Sequence, residues 1–498
     1  MKDSAPLEKA FLVVDVGKTN KKVILYNTKL EILEEVKKSI DPIQDENGME
    51  WEQIDAILDF VLSHCYQYSS KYDISSISFS AHGGTLAALD ETGKEVIQVM
   101  SYTSDAPQAV IDDFDSNVIS PDELYQLSRS PNLGFINLIR QIYVLEKHYP
   151  EAWSKTKTIL PFNSYMAYKL SGVLSNEISF IGNHSGLWSH ENKDWNSLAK
   201  SLGYAEKFPE YKKAWESCGA LRKEIQEKYT LSNSIEVLVG VHDSNATYLP
   251  YLIKNKKDTV LLSTGTWCVT MGNDDNLSLS EEEAKIGAFH NINIFGEPVK
   301  TVGFTGGMEY GAWLKDLKFT IGAASESDVA KVCADQSLFI YPGRNEGSIF
   351  PGKPAGIYYK DKLYHLDQVN ELVESFEKEG RLNELESALN MSLAIQASIA
   401  ILGVKHDLTS MYVEGGFIKN DCFLKSVKTL LPHVCVQVSN LNEASAFGAA
   451  CLCLAHENKN NPLDCHDKFE IPSRQIEAFG IETMEHYKNK FLTIIQSL

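Results

Sequence analysis

Two polar turns, one in each half of the chain, contain residue types that bind phosphate groups. The first spans Gly17 to Asn20 and follows the apolar stretch 11–16, in which Asp15 is the last residue but one. The second, Thr264-Gly265-Thr266, follows the apolar stretch 259–263. Hydroxyl groups and backbone N–H groups beside a glycine can donate to phosphate oxygens, and phosphoryl transfer depends mainly on positioning and charge neutralisation. Taken alone, each turn also fits an ordinary hairpin.

The sequence Gly17-Lys18-Thr19 superficially matches the end of a Walker A motif. That motif requires a glycine five positions before Gly17, where this chain has Leu12, so we exclude a P-loop. Thr19 and Asn20 instead offer side-chain and backbone donors for phosphate oxygens. A carboxylate at Asp15, near the end of a buried strand, is costly unless it is paired or close to a metal ion.

A second group of residues has the chemistry of a proton acceptor beside a sugar. Asp243 follows a strand-like stretch at 236–241 and precedes a predicted helix. It fits a helix N-cap, or a general base that takes the proton of an attacking hydroxyl group. His242 would then bind the sugar or orient the aspartate. His82, followed by Gly83, fits either a contact to sugar hydroxyls or a structural histidine.

Paired glycines occur again near the C-terminus. Gly415-Gly416 follows a predicted strand at 411–414, and Asn420 lies four residues further on. Such a pair leaves room for the flat base or the α-phosphate of a nucleotide, although a simple strand-to-helix turn has the same composition.

The surrounding elements predict an α/β protein. A strand, a polar turn and a second strand open each half of the chain, which suggests two related domains with a cleft between them. We place the boundary near 245–258, giving domains at 1–250 and 251–498. Helices are predicted at 51–68, 385–403, 444–455 and 481–497, and further strands at 74–80, 411–414 and 434–438.

Composition narrows the function. The 498-residue chain has a formal net charge of −20, which argues against nucleic acid and anionic membranes as partners. Its nine cysteines include no CxxC motif, so we expect free thiols in a reducing compartment. No run of 18 apolar residues occurs, so we expect no membrane span and a cytoplasmic protein. The histidines lack zinc-ligand spacing, and there is no GxSxG elbow of a serine hydrolase.

In their order along the chain, these segments resemble the motifs of the FGGY family of carbohydrate kinases. The similar segments are 15–22, 78–83, 240–246, 263–267, 414–420 and 443–450. The resemblance implies two domains with an actin-like ribonuclease-H fold, ATP with Mg²⁺ in the cleft between them, and a homodimer. It also implies a small sugar as the substrate.

The resemblance assigns roles to individual residues. Asp15 would lie near the metal ion, and Asp243 would be the catalytic base. The residues implied to bind the nucleotide are Gly17, Thr19, Asn20, Thr264, Gly265, Thr266, Gly415, Gly416 and Asn420. Those implied to bind the sugar are His82, Gly83, Asp105, His242 and Asp243.

The identity of the sugar stays open at this point. The pair His242-Asp243 and the segment 264–267 look most like the rhamnulokinase and L-fuculokinase branch, which favours L-rhamnulose or L-fuculose phosphorylated at O1. Xylulose and fructose remain alternatives because the segment 102–105 and Ser80 depart from the family pattern. Two other functions are open: an actin-like-fold ATPase, and a sugar-binding regulator without kinase activity.

Overall fold

The structure is a computed structural model that describes residues 6–104, 108–232, 234–255, 258–345 and 347–498. Asp105, predicted to contact the sugar, lies outside these residues. The chain forms two compact units. The first comprises Met1–Lys256, His290–Val299 and Asn442–Glu470, and the second comprises Lys257–Phe289, Lys300–Leu441 and Ile471–Leu498.

The described residues up to 255 form thirteen strands and ten α-helices. The strands are β1 (Glu8–Val16), β2 (Asn20–Asn27), β3 (Ile32–Ser39), β4 (Ile43–Gln44), β5 (Glu50–Trp51), β6 (Tyr72–Ala81), β7 (Leu86–Leu89), β8 (Thr158–Pro161), β9 (Trp188–Ser189), β10 (Asp194–Trp195), β11 (Ser217–Ala220), β12 (Glu236–Leu238) and β13 (Val241–His242). The helices are α1 (Ile54–Ser69), α2 (Gln108–Asp113), α3 (Pro121–Ser128), α4 (Leu138–His148), α5 (Pro150–Lys155), α6 (Phe162–Ser171), α7 (Ile178–Ile181), α8 (Ser197–Ser201), α9 (Lys223–Tyr229) and α10 (Asp243–Asn255).

The remaining described residues continue this mixture of strands and helices. The strands are β14 (Val260–Thr264), β15 (Cys268–Asn273), β16 (Phe289–Ile292), β17 (Pro298–Phe304), β18 (Leu338–Tyr341), β19 (Gly356–Tyr359), β20 (Lys362–His365), β21 (Ser410–Gly415), β22 (Cys435–Ser439) and β23 (Ser473–Gln475). The helices are α11 (Glu281–Lys285), α12 (Gly306–Leu317), α13 (Glu326–Asp335), α14 (Val369–Lys378), α15 (Leu382–Val404), α16 (Asp421–Leu430), α17 (Ala444–Glu457) and α18 (Met484–Ser497).

The first unit is built on a mixed sheet in the order β11-β12-β6-β1-β2-β3, and β13 also pairs with β6. Strand β1 is antiparallel to β2 and parallel to β6, and its residues from Ala10 to Val16 are buried. An apolar run of this kind is typical of a central strand covered on both faces. The register places Asp15 between Lys22 on β2 and Ser80 on β6.

The second unit contains the same local arrangement. Strand β14 is antiparallel to β15 and parallel to β21, in a sheet that includes the order β17-β15-β14-β21-β22-β23. Thr264 pairs with Cys268 across the hairpin and lies beside Gly415 on β21. Both predicted strand–turn–strand motifs are therefore present, and the predicted fold class is confirmed as mixed α/β in two units.

Helix α17 belongs to the first unit although it lies near the C-terminus, and it packs against α10, β6 and β1. The small residues of α17 allow its backbone to approach that of α10 closely. A Cβ atom added at Gly448 would lie 1.8 Å from the carbonyl oxygen of Ala246, so only glycine permits the close approach of the two helices.

Helix α15 is the core helix of the second unit. Within the described part of the chain it is the one helix long and apolar enough to cross a membrane, and 89% of its most apolar window is buried. All nine cysteines are free, as predicted, and eight of them are buried.

Candidate functional site

Asp15 is a buried carboxylate of the first unit, and it shares the nearby Lys22 with a second carboxylate. The hydroxyl group of Ser445 donates to Asp15 Oδ1 at 3.0 Å, and Lys22 Nζ lies 3.7 Å from Oδ2. Lys22 makes its closer ion pair with Glu443. Burial, opposed mainly by Lys22, raises the pKa of Asp15 to about 6. A cation at this carboxylate would therefore be stabilised.

This environment fits a magnesium ion. Mg²⁺ takes one or two protein carboxylates and completes its shell with water and phosphate oxygens. The described residues contain no group of three or more His, Cys, Asp or Glu side chains able to hold a metal ion. Asp15 therefore suits an ion that arrives with nucleotide phosphates, rather than one enclosed by protein ligands.

The first polar turn joins β1 to β2 close to Asp15. A Cβ atom at Gly17 would lie 3.0 Å from the carbonyl oxygen of Asn20, so the turn is tight. The Thr19 carbonyl accepts a hydrogen bond from Ile40 N at 3.3 Å, which fixes the turn from outside. Thr19 is exposed and Asn20 is half-buried, so both side chains can be reached from solvent.

Lys18 extends from this turn toward Ser101 and Tyr102, a contact that the sequence did not indicate. Its ammonium group lies 2.9 Å from Glu52 Oε1, donates to Ser101 Oγ and stands 5.1 Å from the centre of the Tyr102 ring. The Glu52 side chain is fully buried. The Lys18 charge is thus neutralised inside the protein by a partner 34 residues away in sequence.

His82 is buried against aromatic rings. Its ring centre lies 5.2 Å from that of Tyr102 and 4.9 Å from that of Phe162. Its Nδ1 lies 3.1 Å from the carbonyl oxygen of Gly83. Because a carbonyl oxygen only accepts, Nδ1 carries the proton, and Nε2 of the neutral ring remains an acceptor. Among the described residues, Nε2 of His82 is buried without a hydrogen-bond partner.

The imidazoles of His184 and His242 lie next to Gly83, which follows His82 in sequence. Together with Asp243, which follows His242, we name these residues the histidine cluster: His82, Gly83, His184, His242 and Asp243. A Cβ atom at Gly83 would lie 2.3 Å from His242 Nε2 and 2.9 Å from His184 Nε2. The rings of His184 and His242 are 5.5 Å apart. Burial lowers the pKa of each of these two histidines to about 3, so both are neutral at physiological pH.

Asp243 is the first residue of α10 and directly follows β13. Its Oδ1 accepts a hydrogen bond from Ser244 N at 2.6 Å and lies 3.1 Å from His242 Nδ1. Partial burial of the carboxylate raises its pKa, while His82 acts in the opposite direction. About a third of the side chain, 35%, stays exposed. This is an oriented carboxylate with room for a proton donor.

The second unit contains a cavity of 580 Å³, which we name the glycine cavity. Its lining residues are Gly265, Thr266, Gly307, Met308, Tyr310, Ile321, Gly322, Ala324, Gly416, Phe417, Lys419, Asn420, Asp421 and Cys422. Four of the predicted nucleotide-binding residues are therefore together: Gly265, Thr266, Gly416 and Asn420. Thr264 and Gly415 lie beside the cavity and do not line it.

Thr264 and Gly415 hold the walls of the glycine cavity in place. The Thr264 hydroxyl donates to the Glu414 carbonyl oxygen and accepts from Phe417 N at 3.0 Å. Gly415 has a φ of 87°, and a Cβ atom there would lie 2.0 Å from the Thr264 carbonyl oxygen. These contacts fix β14 against β21 and leave no room for a side chain.

The N-terminus of α12 also lines the glycine cavity, a feature that the sequence did not indicate. Met308 N donates to the Thr266 carbonyl oxygen at 3.1 Å, and a Cβ atom at Gly307 would lie 2.0 Å from the Gly265 carbonyl oxygen. Tyr310 follows one turn later, and its hydroxyl is buried without a partner among the described residues. The adjacent glycines 306 and 307 were the available sequence signal.

Asn420 lines the glycine cavity and also makes two side-chain hydrogen bonds that stabilise the fold. Its side-chain oxygen caps α16 by accepting from Phe423 N, and its side-chain nitrogen donates to Asn390 Oδ1 at 2.7 Å. Ile321 contributes an apolar surface that is 64% exposed. The cavity thus combines the N-terminus of α12 and the polar residue Thr266 with an apolar wall, a combination suited to a phosphate-bearing nucleotide.

Comparison with known proteins is consistent with this geometry. Residues 10–250 match the N-terminal domain of the FGGY family of carbohydrate kinases, and residues 256–462 match the carbohydrate kinase FGGY C-terminal domain. A rhamnulokinase from Halalkalibacterium halodurans is 25% identical over 285 residues, which cover 54% of this chain and 59% of that protein. A xylulose kinase from Lactococcus lactis is 26% identical over 203 residues, 39% of this chain and 38% of that protein. The chain thus aligns with about half of the length of these relatives.

The fold has a close counterpart among solved structures. A carbohydrate kinase from Novosphingobium aromaticivorans superposes with a TM-score of 0.79 over 99% of both chains, at 23% sequence identity. The two family models together span most of the chain. This protein belongs to the FGGY family of carbohydrate kinases.

Proposed function

We propose that the protein transfers the γ-phosphoryl group of ATP to a hydroxyl group of a small sugar, with Asp243 as the general base. The observation that carries the proposal is the position of Asp243 in the histidine cluster, beside His242 and near the unpartnered Nε2 atom of His82. A carboxylate whose pKa is raised toward the working pH accepts a proton efficiently. The neutral imidazoles provide hydrogen bonds for the other hydroxyl groups.

The proposed transfer needs one proton acceptor in this unit. The Ser244 N–H group holds Oδ1 of Asp243, which leaves Oδ2 to take the proton of the attacking hydroxyl group. The hydroxyl oxygen forms a bond to the γ-phosphorus, the bond between that phosphorus and the bridging oxygen breaks, and ADP leaves.

The glycine cavity is the proposed site of the adenosine end of ATP. Ile321 and Tyr310 offer surfaces for the base, while Thr266 and the N-terminus of α12 at Gly307 line the part of the cavity where we propose that phosphates bind. On the first unit, we propose that Gly17, Thr19 and Asn20 contact phosphates and that Asp15 holds Mg²⁺. The bound ion would neutralise charge on the phosphate oxygens.

A ketose is the favoured acceptor. The segments around His242-Asp243 and 264–267 resemble those of the rhamnulokinase and L-fuculokinase branch, and one relative named above is a rhamnulokinase. We therefore favour L-rhamnulose or L-fuculose phosphorylated at the terminal O1 hydroxyl. Xylulose is the next candidate, since another relative is a xylulose kinase, and fructose follows.

An acceptor panel tests the proposal. The purified protein is incubated with ATP and Mg²⁺ and with L-rhamnulose, L-fuculose, D-xylulose, L-ribulose, D-fructose or glycerol, and the sugar phosphate is identified by mass spectrometry. We expect one ketose to give much the highest kcat/KM. ATP hydrolysis without phosphate transfer to any acceptor would instead indicate an ATPase. ATP and sugar binding without turnover would indicate a regulator.

A further inference from the structure

His184 is a strained residue at the edge of the histidine cluster. Its backbone φ is 39°, in the left-handed region that favours glycine and that a histidine rarely adopts. A strained non-glycine residue persists only where the surrounding structure fixes it, and such residues concentrate at functional sites. No motif around His184 distinguishes it from the other histidines of the chain.

Contacts on both sides hold the His184 backbone in this conformation. The side-chain nitrogen of Asn137 donates to the His184 carbonyl oxygen at 2.6 Å. Ile139 N donates to the Ser185 carbonyl oxygen at 2.9 Å, and the side chain of Asn183 accepts from Ile292 N at 3.3 Å. The three residues 183–185 are thus anchored one after another, which fixes the direction of the imidazole.

The imidazole is aimed at the space over Gly83. Its Nε2 and the Nε2 of His242 lie 2.9 Å and 2.3 Å from the point that a Gly83 side chain would occupy. The ring of His184 meets that of His242 at an interplanar angle of 79°. Glycine at position 83 therefore makes room for the imidazole nitrogens of His184 and His242, which approach its backbone from different directions.

The three imidazoles of the histidine cluster are neutral at physiological pH. Burial lowers the pKa of His184 and of His242 to about 3 and also lowers that of His82. Lys18, whose ammonium group lies 5.1 Å from the centre of the Tyr102 ring, is paired with the buried Glu52. A carboxylate group bound here would lose its hydration without gaining a counter-charge, which is unfavourable.

We propose that His184 is a specificity residue that hydrogen-bonds a hydroxyl group of the acceptor, and that the histidine cluster selects uncharged polyhydroxyl acceptors over sugar acids. A neutral imidazole offers one donor and one acceptor, which matches a hydroxyl group and not a carboxylate. The inference rests on the proposed function, because it specifies the acceptor for the same site.

The variant His184→Gly tests this role because it removes the imidazole and relieves the positive φ together. We expect the KM for the best acceptor of the panel to rise roughly tenfold, the cost of one hydrogen bond to a neutral group. The KM for ATP should stay within about twofold, and the unfolding temperature should not fall, because glycine is unstrained there. The matched control is Lys193→Gly, an exposed residue of the same unit with a φ of 49°, which should leave both KM values unchanged.

The acceptor class is tested by adding D-gluconate and D-glucuronate to the panel. We expect kcat/KM for these acids to be at least about tenfold below that of the best neutral sugar, because an unpaired charge is costly to bury. An unchanged acceptor KM in His184→Gly, or a sugar acid as the best wild-type acceptor, would overturn the inference while leaving the kinase activity in place. Failure of the proposed function differs, because wild-type protein would then phosphorylate nothing in the panel.

Discussion

The histidine cluster of the first unit and the glycine cavity of the second are built by different means. In the cluster, side chains carry the chemistry: Asp243 with a raised pKa and two histidines with pKa values near 3. In the cavity, the backbone dominates: a Cβ atom would lie 2.0 Å from a carbonyl oxygen at Gly307 in the lining and at Gly415 beside it. The properties of the histidine cluster therefore depend on electrostatics, and the shape of the glycine cavity depends on steric exclusion.

This difference predicts how each region responds to change. Protonation or loss of a single functional group should alter turnover at the histidine cluster while the fold persists. At the glycine cavity, adding one methyl group should displace backbone and weaken nucleotide binding. The two regions can therefore be probed separately, with pH for the first and glycine substitutions for the second.

Apart from removal of the base itself, the largest expected effect is on the pH dependence of turnover. Asp243 must be ionised to accept a proton, and burial raises its pKa, so kcat should fall about tenfold per pH unit below that pKa. The fall should begin above the ordinary aspartate pKa of about 3.9. His184 and His242 are neutral down to about pH 3 and add no step in this range. Steady-state kinetics from pH 4.5 to 8, with circular dichroism to verify folding, measure it. A constant kcat down to pH 4.5 in folded enzyme would contradict the role of Asp243.

The next effect is steric and concerns the nucleotide. In Gly307→Ala the new methyl group must displace the Gly265 backbone, and overpacking of this kind typically costs about 1–3 kcal/mol. We expect the KM for ATP to rise roughly 10- to 100-fold, with the acceptor KM nearly unchanged. Initial-rate kinetics with each substrate varied in turn give both constants. An equal rise in both would show that the cavity does not act on the nucleotide alone.

The smallest effect is expected at Gly311, four residues after Gly307 on the same helix. A Cβ atom there meets nothing within 4 Å. Gly311→Ala should leave both KM values unchanged and stabilise the protein by up to about 1 kcal/mol, because alanine favours a helix interior over glycine. Urea unfolding of this variant beside Gly307→Ala separates helix propensity from the clash. Loss of ATP binding in Gly311→Ala would remove the steric explanation.

Local patterns in the sequence predicted much of the fold. The apolar runs at 11–16 and 259–263 became β1 and β14, and the predicted helix at 385–403 is α15. The membership of Asn442–Glu470 in the first unit was not predictable in this way. It depends on long-range packing, such as the approach of Gly448 to Ala246, to which a local pattern gives no clue.

The same division applies to the candidate site. His82, Gly83, His242 and Asp243 were selected from motifs, and the structure brings them into one cluster. His184 was missed because its positive φ is imposed by tertiary hydrogen bonds rather than by its neighbours in sequence. The pairing of Lys18 with Glu52 was missed for a similar reason, since sequence alone does not report which charges meet after folding.

The central claim is that Asp243 acts as the proton acceptor in phosphoryl transfer and does not hold the nucleotide. Asp243→Asn keeps the shape of the side chain and removes its basicity. We predict that calorimetric titration of this variant with ATP and Mg²⁺ gives a Kd within about twofold of wild type, while kcat with the best acceptor falls roughly 10²–10⁴-fold. A near-normal kcat, or a loss of ATP binding that accounts for the lost turnover, would contradict the account.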